Sequence, residues 1–142
     1  MARLLRPGCV TSVRYFTARV KGRPDPGAPG RQKLYLRALS TRPTVSIHFG
    51  RFRTHVVSMP VANPSSRGLR FVKVDKTEEK GSDVNLGTYL LVDGMDGLYD
   101  EAVVVTNDSD LVEPIAQAKA RFAPVHILSP HPIHVAELAQ VG

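Results

Sequence analysis

The chain has one cysteine, Cys9, so neither an internal disulfide nor a cysteine metal cluster can form, and its 142 residues must hold together by packing alone. That usage is compatible with a reducing cytosol, and a cytoplasmic location is expected. No apolar run approaches the length that crosses a bilayer, so no membrane partner is expected. No glycine fingerprint for a dinucleotide or a P-loop occurs, which argues against nicotinamide, flavin and nucleotide chemistry. Internal repeats are absent. Acid is missing from the first twenty residues, which are rich in arginine as transit peptides are. The segment "VTSVRYFTARV", residues 10 to 20, nevertheless combines β-branched and aromatic residues over the length of a strand, and a strand is the better reading.

What is present is a chain of single-domain size with 42% hydrophobic residues, enough to bury a core. One compact domain spanning 1 to 142 is expected. Its charge is divided by position. Residues 1 to 80 hold 17 Lys/Arg against 4 acids, whereas residues 81 to 142 hold 2 against 9, within a formal net charge of +6. A basic surface beside an acidic pocket suits a polyanion and a cation.

Along the chain, "KGRPDPGAPGR", residues 21 to 31, reads as a loop. "RQKLYLRALST" follows as a short amphipathic helix with Leu34, Ala38 and Leu39 on its apolar face. "TVSIHFGRF", residues 44 to 52, and "HVVSMPV", residues 55 to 61, read as two strands able to pair as a hairpin. "NPSSRG" is a turn, and "LRFVKVDK", residues 69 to 76, a half-exposed strand. A helix is predicted from Ser82 to about Asp96, with Val84, Leu86, Leu90, Leu91 and Met95 inward, Ser82 or Asp83 at its N-cap and Gly97 near its stop. "EAVVVTN" reads as a strand buried on both faces of a parallel sheet. Asp110 and Glu113 have capping-box spacing for a helix to Phe122, with Pro114 tolerated in its first turn. "PVHILS" and "PIHVAELAQ" supply a last strand and helix. This alternation predicts a layered α/β domain with parallel strands.

In such a sheet, ligands bind beyond the carboxyl ends of the strands. Asp108 and Asp110 follow "AVVVTN" directly, and Asp83 opens the preceding helix, so a crossover can bring all three to one rim. Crowded carboxylates are most simply neutralised by a hard divalent cation, Mg²⁺ or Mn²⁺, which can bind a phosphodiester oxygen and activate water. The competing reading makes each aspartate a helix cap, a role that Asp110 fits well.

The pair of segments "KTEEKGSDVNLGTYLLVDG" and "YDEAVVVTNDSDLVEPI", with "VRYFTARV" and "HFGRF" upstream, resembles the NYN domain, a PIN-like nuclease family, in its bacterial branch. The resemblance implies a three-layer Rossmann-like domain with a mainly parallel sheet. It also implies an endoribonuclease that cleaves RNA with Mg²⁺ or Mn²⁺ held by Asp83, Asp108 and Asp110. Lys80 and Asn85 would flank the same rim, and Asn107 and Ser109 could bond ligand or backbone. Relatives open with a strand carrying a further aspartate, and nothing before Val10 resembles it. The expectation is therefore an N-terminally truncated domain whose central strand is missing, with a start site placed too late as the favoured explanation. It would leave unpaired backbone on the strands "VRYFTARV" and "EAVVVTN".

"HFGRFRTH", residues 48 to 55, interleaves Phe49 and Phe52 with Arg51 and Arg53. Such a stretch can stack bases and contact phosphates, or it can bury its phenylalanines and solvate its arginines. Arg19, Lys21, Arg23 and Arg31 around the proline/glycine loop can form an electrostatic clamp or simply a solvated surface, and Arg19, Lys21, Arg51, Arg53 and Lys80 are the expected nucleic-acid contacts. His126, His131 and His134 lack a carboxylate or cysteine at ligand spacing, and Cys9 lacks a base partner. A nucleic-acid-binding module that does not cut is the alternative function, since one metal ligand is missing. An oxidoreductase ranks lower, although some relatives in this branch are named as hydroxylases of a succinoylated pyridine. A homodimer is one assembly open to the chain.

Overall fold

The computed structural model describes residues 10–22, 25–64, 68–130 and 136–141. Cys9, Arg23, His131 and His134 lie outside the described residues. The chain is mixed α/β, with parallel pairings that agree with a Rossmann-like fold, and it divides into two compact units, Met1–Ser82 and Asp83–Gly142. The change in charge sign read from the sequence falls almost on that boundary. No helix among the described residues is long and apolar enough to cross a membrane.

In the first unit, β1 (Val13–Ala18) pairs in parallel with the start of β2 (Val45–Pro60), and β2 then pairs antiparallel with β3 (Phe71–Lys80). The two strands expected at 44–52 and 55–61 are thus one continuous strand. Nothing between Phe52 and His55 supplies a turn, since Arg53 and Thr54 continue the extended pattern, whereas the turn residues Asn63 and Pro64 lie beyond Pro60. The true hairpin joins β2 to β3. The switch of partner occurs at Gly50, where a Cβ would stand 2.7 Å from the Lys80 carbonyl oxygen.

Helix α1 (Ala28–Leu39) starts three residues before its expected origin, because Pro29 falls in the first turn, where a missing N–H costs nothing. Its buried residue is Leu36, while Leu34, expected inward, is 65% exposed. Gln32, one turn before Leu36, clamps the end of β1. Its Nε2 donates to the Ala18 carbonyl at 2.7 Å, and its Oε1 accepts from the Val20 N–H at 3.0 Å. A polar side chain thereby completes pairing that would otherwise end unsatisfied.

The second unit holds the larger core. Helix α2 (Ser82–Met95) leads to β4 (Ala102–Val105), then to a 3₁₀ turn (Ser109–Leu111), α3 (Val112–Arg121), β5 (Val125–Leu128) and α4 (Ala136–Ala139). Strands β4 and β5 pair in parallel. Leu90, Val104, Leu111, Ile115, Ala118, Val125 and Leu138 form one buried cluster. Val84 and Met95 were expected in it, yet they are 71% and 72% exposed, so the inward stripe of α2 is Leu86, Gly87, Leu90 and Leu91. The α2 stop agrees with the sequence. Gly97 adopts φ 65°, Leu98 N–H donates to the Asp93 carbonyl at 2.8 Å, and Gly97 N–H donates to that of Gly94 at 3.2 Å, the paired closure of a Schellman motif. β4 is less enclosed than its apolar run implied. Only Val104 is buried, and Val105 is 57% exposed. Among the described residues β4 has β5 as its one partner, and β1 has β2.

A candidate acidic rim and a basic ribbon

Asp108 stands three residues past the end of β4 with an extended backbone, φ −101° and ψ 121°. Two short bonds fix it. Its N–H donates to Thr106 Oγ1 at 3.1 Å, and its Oδ1 accepts from the Asp110 N–H at 3.0 Å. Asp108 is therefore the N-cap of the turn that opens α3, a role the sequence reading gave to Asp110; the cap forms one position earlier because Ser109–Leu111 is a 3₁₀ turn. Thr106 is buried at 8% exposure, and its own N–H donates to the Leu128 carbonyl at 3.1 Å. Sequence reasoning passed over this threonine. Its signal was its position, the first polar side chain after the apolar run.

Asn107 accepts from the Ser129 hydroxyl at 3.1 Å and so ties the loop after β4 to the loop after β5. The contact joins two loops and is not the local side-chain-to-backbone bond of an asparagine turn. Ser109 is exposed, and Asn85 is half-buried in α2.

Asp83 lies in the first turn of α2 and is exposed, as is Asp110. Two glycines show how their helices meet. A Cβ on Gly87 would stand 3.1 Å from Pro114 Cγ and 3.9 Å from Leu111 Cδ2, and one on Gly94 would fall 2.6 Å from Phe122 Cδ2. The contact advances in the same sense along both helices, so α2 and α3 run side by side and parallel. Asp83 is four residues before Gly87, and Asp110 four before Pro114. Both acids thus occupy the same end of adjacent helices, each one turn ahead of the point of contact and both at N-termini, where a carboxylate is favoured. Among the described residues, no group of three His, Cys, Asp or Glu side chains is placed to hold a metal ion. Mg²⁺ commonly binds through one or two carboxylates and keeps several waters, so it does not require a three-donor group.

The basic residues expected to meet nucleic acid belong to the first unit. Arg19 places its guanidinium 4.4 Å from the centroid of Phe49, which is 40% exposed and so is not buried in the core. Phe52 is half-buried. Lys21 Nζ donates to Thr54 Oγ1 at 3.4 Å. Arg51 lies opposite Lys80 and Arg53 opposite Glu78 in the β2–β3 ladder. Lys76 bonds Glu78 at 2.7 Å and, with Lys80 at 3.4 Å, holds that carboxyl below its usual range. Arg31, expected in the clamp, is paired with Asp25 instead. His126 pairs with Glu101 at 2.6 Å and joins no metal cluster among the described residues. On β1 and β2, Ser46 Oγ and Arg14 Nη1 approach His48 Nε2 at 3.1 and 3.4 Å, and His48 stacks on Phe16.

Comparison with known proteins shows a partial likeness to a curated protein. Over 119 residues the chain is 28% identical to 6-hydroxy-3-succinoylpyridine 3-monooxygenase HspA of Pseudomonas putida, an alignment covering 77% of this chain and 38% of that protein. The chain thus spans well under half the length of the relative it matches. No family model matches it, and no solved structure does.

Proposed function

We propose that this chain is an NYN-type nuclease domain that hydrolyses RNA phosphodiesters at the acidic rim of its second unit. The observation carrying this reading is the placement of Asp83 and Asp110 at the same end of two adjacent parallel helices, beside Asp108 at the carboxyl end of β4. Asp83 and Asp110 would hold Mg²⁺ or Mn²⁺, with Asp108 beside them. Such an ion supplies a Lewis acid for a phosphoryl oxygen and a more acidic bound water. The chain's own residues supply position. Thr106 fixes the Asp108 backbone, Asp108 fixes the Asp110 backbone, and Asn107 ties the rim to β5 through Ser129. Arg19, Lys21, Arg51, Arg53 and Lys80 would attract the polyanion.

The test is cleavage of a labelled single-stranded RNA with Mg²⁺ or Mn²⁺, with chelator, and with Asp83→Asn and Asp110→Asn variants. Cleavage that needs the ion and falls at least about a hundredfold in each variant supports the reading, the size expected when a group stabilising transition-state charge is lost. RNA bound but uncut under every condition would instead make the chain a binding module and overturn the hydrolase.

The likeness to a pyridine monooxygenase favours a second reading, an oxidoreductase acting on a substituted pyridine. A flavin retained by the purified chain, with reduced-nicotinamide oxidation on adding a hydroxypyridine, would support it and displace the hydrolase.

A further inference from the structure

Side chains alternate along a strand, so Phe49, Arg51, Arg53 and His55 share one face of β2. Residues directly opposite across an antiparallel ladder share that face too. Lys80 faces Arg51, Glu78 faces Arg53, and Lys76 faces His55. The face therefore carries four Lys/Arg and a histidine against a single carboxylate, and that carboxylate is engaged by Lys76 and Lys80. Among the described residues Arg51 and Arg53 form no ion pair. The acids Asp75 and Glu79 lie at alternate positions, on the opposite face with Lys73. Charge is sorted between the faces, not merely spread over a solvated ribbon. An open hollow of about 520 Å³ is lined by Arg53, Thr54, His55 and Lys80. At one end of this basic run stands Phe49, exposed and covered by the Arg19 guanidinium; at the other the rungs turn apolar, Val57 opposite Val74 and Met59 opposite Val72.

We infer that this face is a track for single-stranded RNA, with Phe49 and Arg19 as the stacking platform, and Arg51–Lys80, Arg53 and His55–Lys76 as three successive phosphate contacts. His55 and Lys76 are additions to the contacts proposed above. An exposed aromatic ring beside a basic groove is the combination that holds unpaired strands, because any base can stack on it and the backbone charge does the rest. A duplex is excluded by the same features: its bases are already stacked, and the A-form major groove is too deep and narrow for side chains to read. Stacking on Phe49 and the phosphate contacts act alike on both sugars, so single-stranded DNA should bind within a few-fold of RNA. The inference rests on the nucleic-acid part of the proposed function and not on its metal site.

The experiment is fluorescence anisotropy of the whole chain with a labelled single strand of about 12 nucleotides, within the usual site size. RNA, its duplex and the matching DNA strand are compared in chelator. Expected are binding of the single strand about tenfold or more above the duplex, and a similar loss in Arg51→Glu/Arg53→Glu, with the log–log salt slope reduced by about 0.7 for each phosphate contact removed. Phe49→Ala should weaken binding by several-fold or more and leave that slope unchanged. Lys33→Ala, exposed on α1, should bind as the parent does. Circular dichroism confirms that these surface variants fold. Equal affinity for duplex and single strand, parental binding by the double variant, or a hundredfold preference for RNA over DNA would each overturn the track. Binding that survives Asp83→Asn with no cleavage by the parent chain would leave the track standing and remove only the hydrolase.

Discussion

Gly87, the glycine of "NLGTYL", is one of the two close approaches of α2 to the α3 segment. A side chain there meets the Pro114 ring, which cannot swing away as a long flexible side chain could. Gly87→Leu should cost about 1–3 kcal/mol in denaturant unfolding, the range for overpacking a close contact, and it should part the helix ends that carry Asp83 and Asp110. Asp108 separates charge from structure. Asparagine keeps the side-chain oxygen that caps the turn, so Asp108→Asn should hold stability to within a few tenths of a kcal/mol, whereas Asp108→Ala should lose about 1 kcal/mol. If Asp108 also serves the proposed chemistry through its charge, both variants lose cleavage; if it only positions Asp110, the asparagine variant keeps it. Tyr99 donates its hydroxyl to the Leu90 carbonyl at 3.0 Å, and burial, with Asp93 nearby, raises its pKa. A phenol raised in the fold gives stability that is complete below its ordinary pKa of about 10 and is lost as pH rises through the folded value. Tyr99→Phe should therefore cost about 1 kcal/mol at neutral pH and shrink the alkaline decline, leaving the share from Tyr15, which is also raised by burial. Unfolding curves between pH 8 and 11 check both.

The strands and helices were legible in the sequence wherever a pattern had local causes. β1, β4, β5 and α2 fall where their periodicity put them, and Gly97 ends α2 as a left-handed glycine should. What escaped was set by partners distant in sequence. Nothing local says that residues 44 to 61 form one strand, because that follows from pairing first with β1 and then with β3. Nor does the count of apolar residues on α2 say which leucines face inward; the close approach at Gly87 decides it, turning Val84 and Met95 outward. The aspartates could be seen as a group near one sheet end, but which of them caps the turn depended on a 3₁₀ geometry the spacing does not reveal. Helix α3 anchors the second unit through Ile115 and Ala118, both at 0% exposure. Ile115→Ala should lose about 2–5 kcal/mol, read from chemical unfolding.

Across the whole chain, charge and structure divide at nearly the same place. The unit Met1–Ser82 carries the basic ribbon, and the unit Asp83–Gly142 carries the acidic rim. The proposed hydrolase would use the first as its polyanion-binding surface and the second as its cation-binding rim. Because counterion release governs the first and a small donor set the second, raising salt should weaken RNA affinity steeply while leaving the ion's affinity far less affected. The most direct measurement is a Mn²⁺ titration of isotope-labelled protein followed by amide NMR. A shared ion broadens the amides around Asp83 and those from Asn107 to Leu111 together, at the same low Mn²⁺, and Asp83→Asn shifts both to higher concentration. Broadening confined to one of these segments, or centred on Asp93 to Glu101 instead, would contradict a common site.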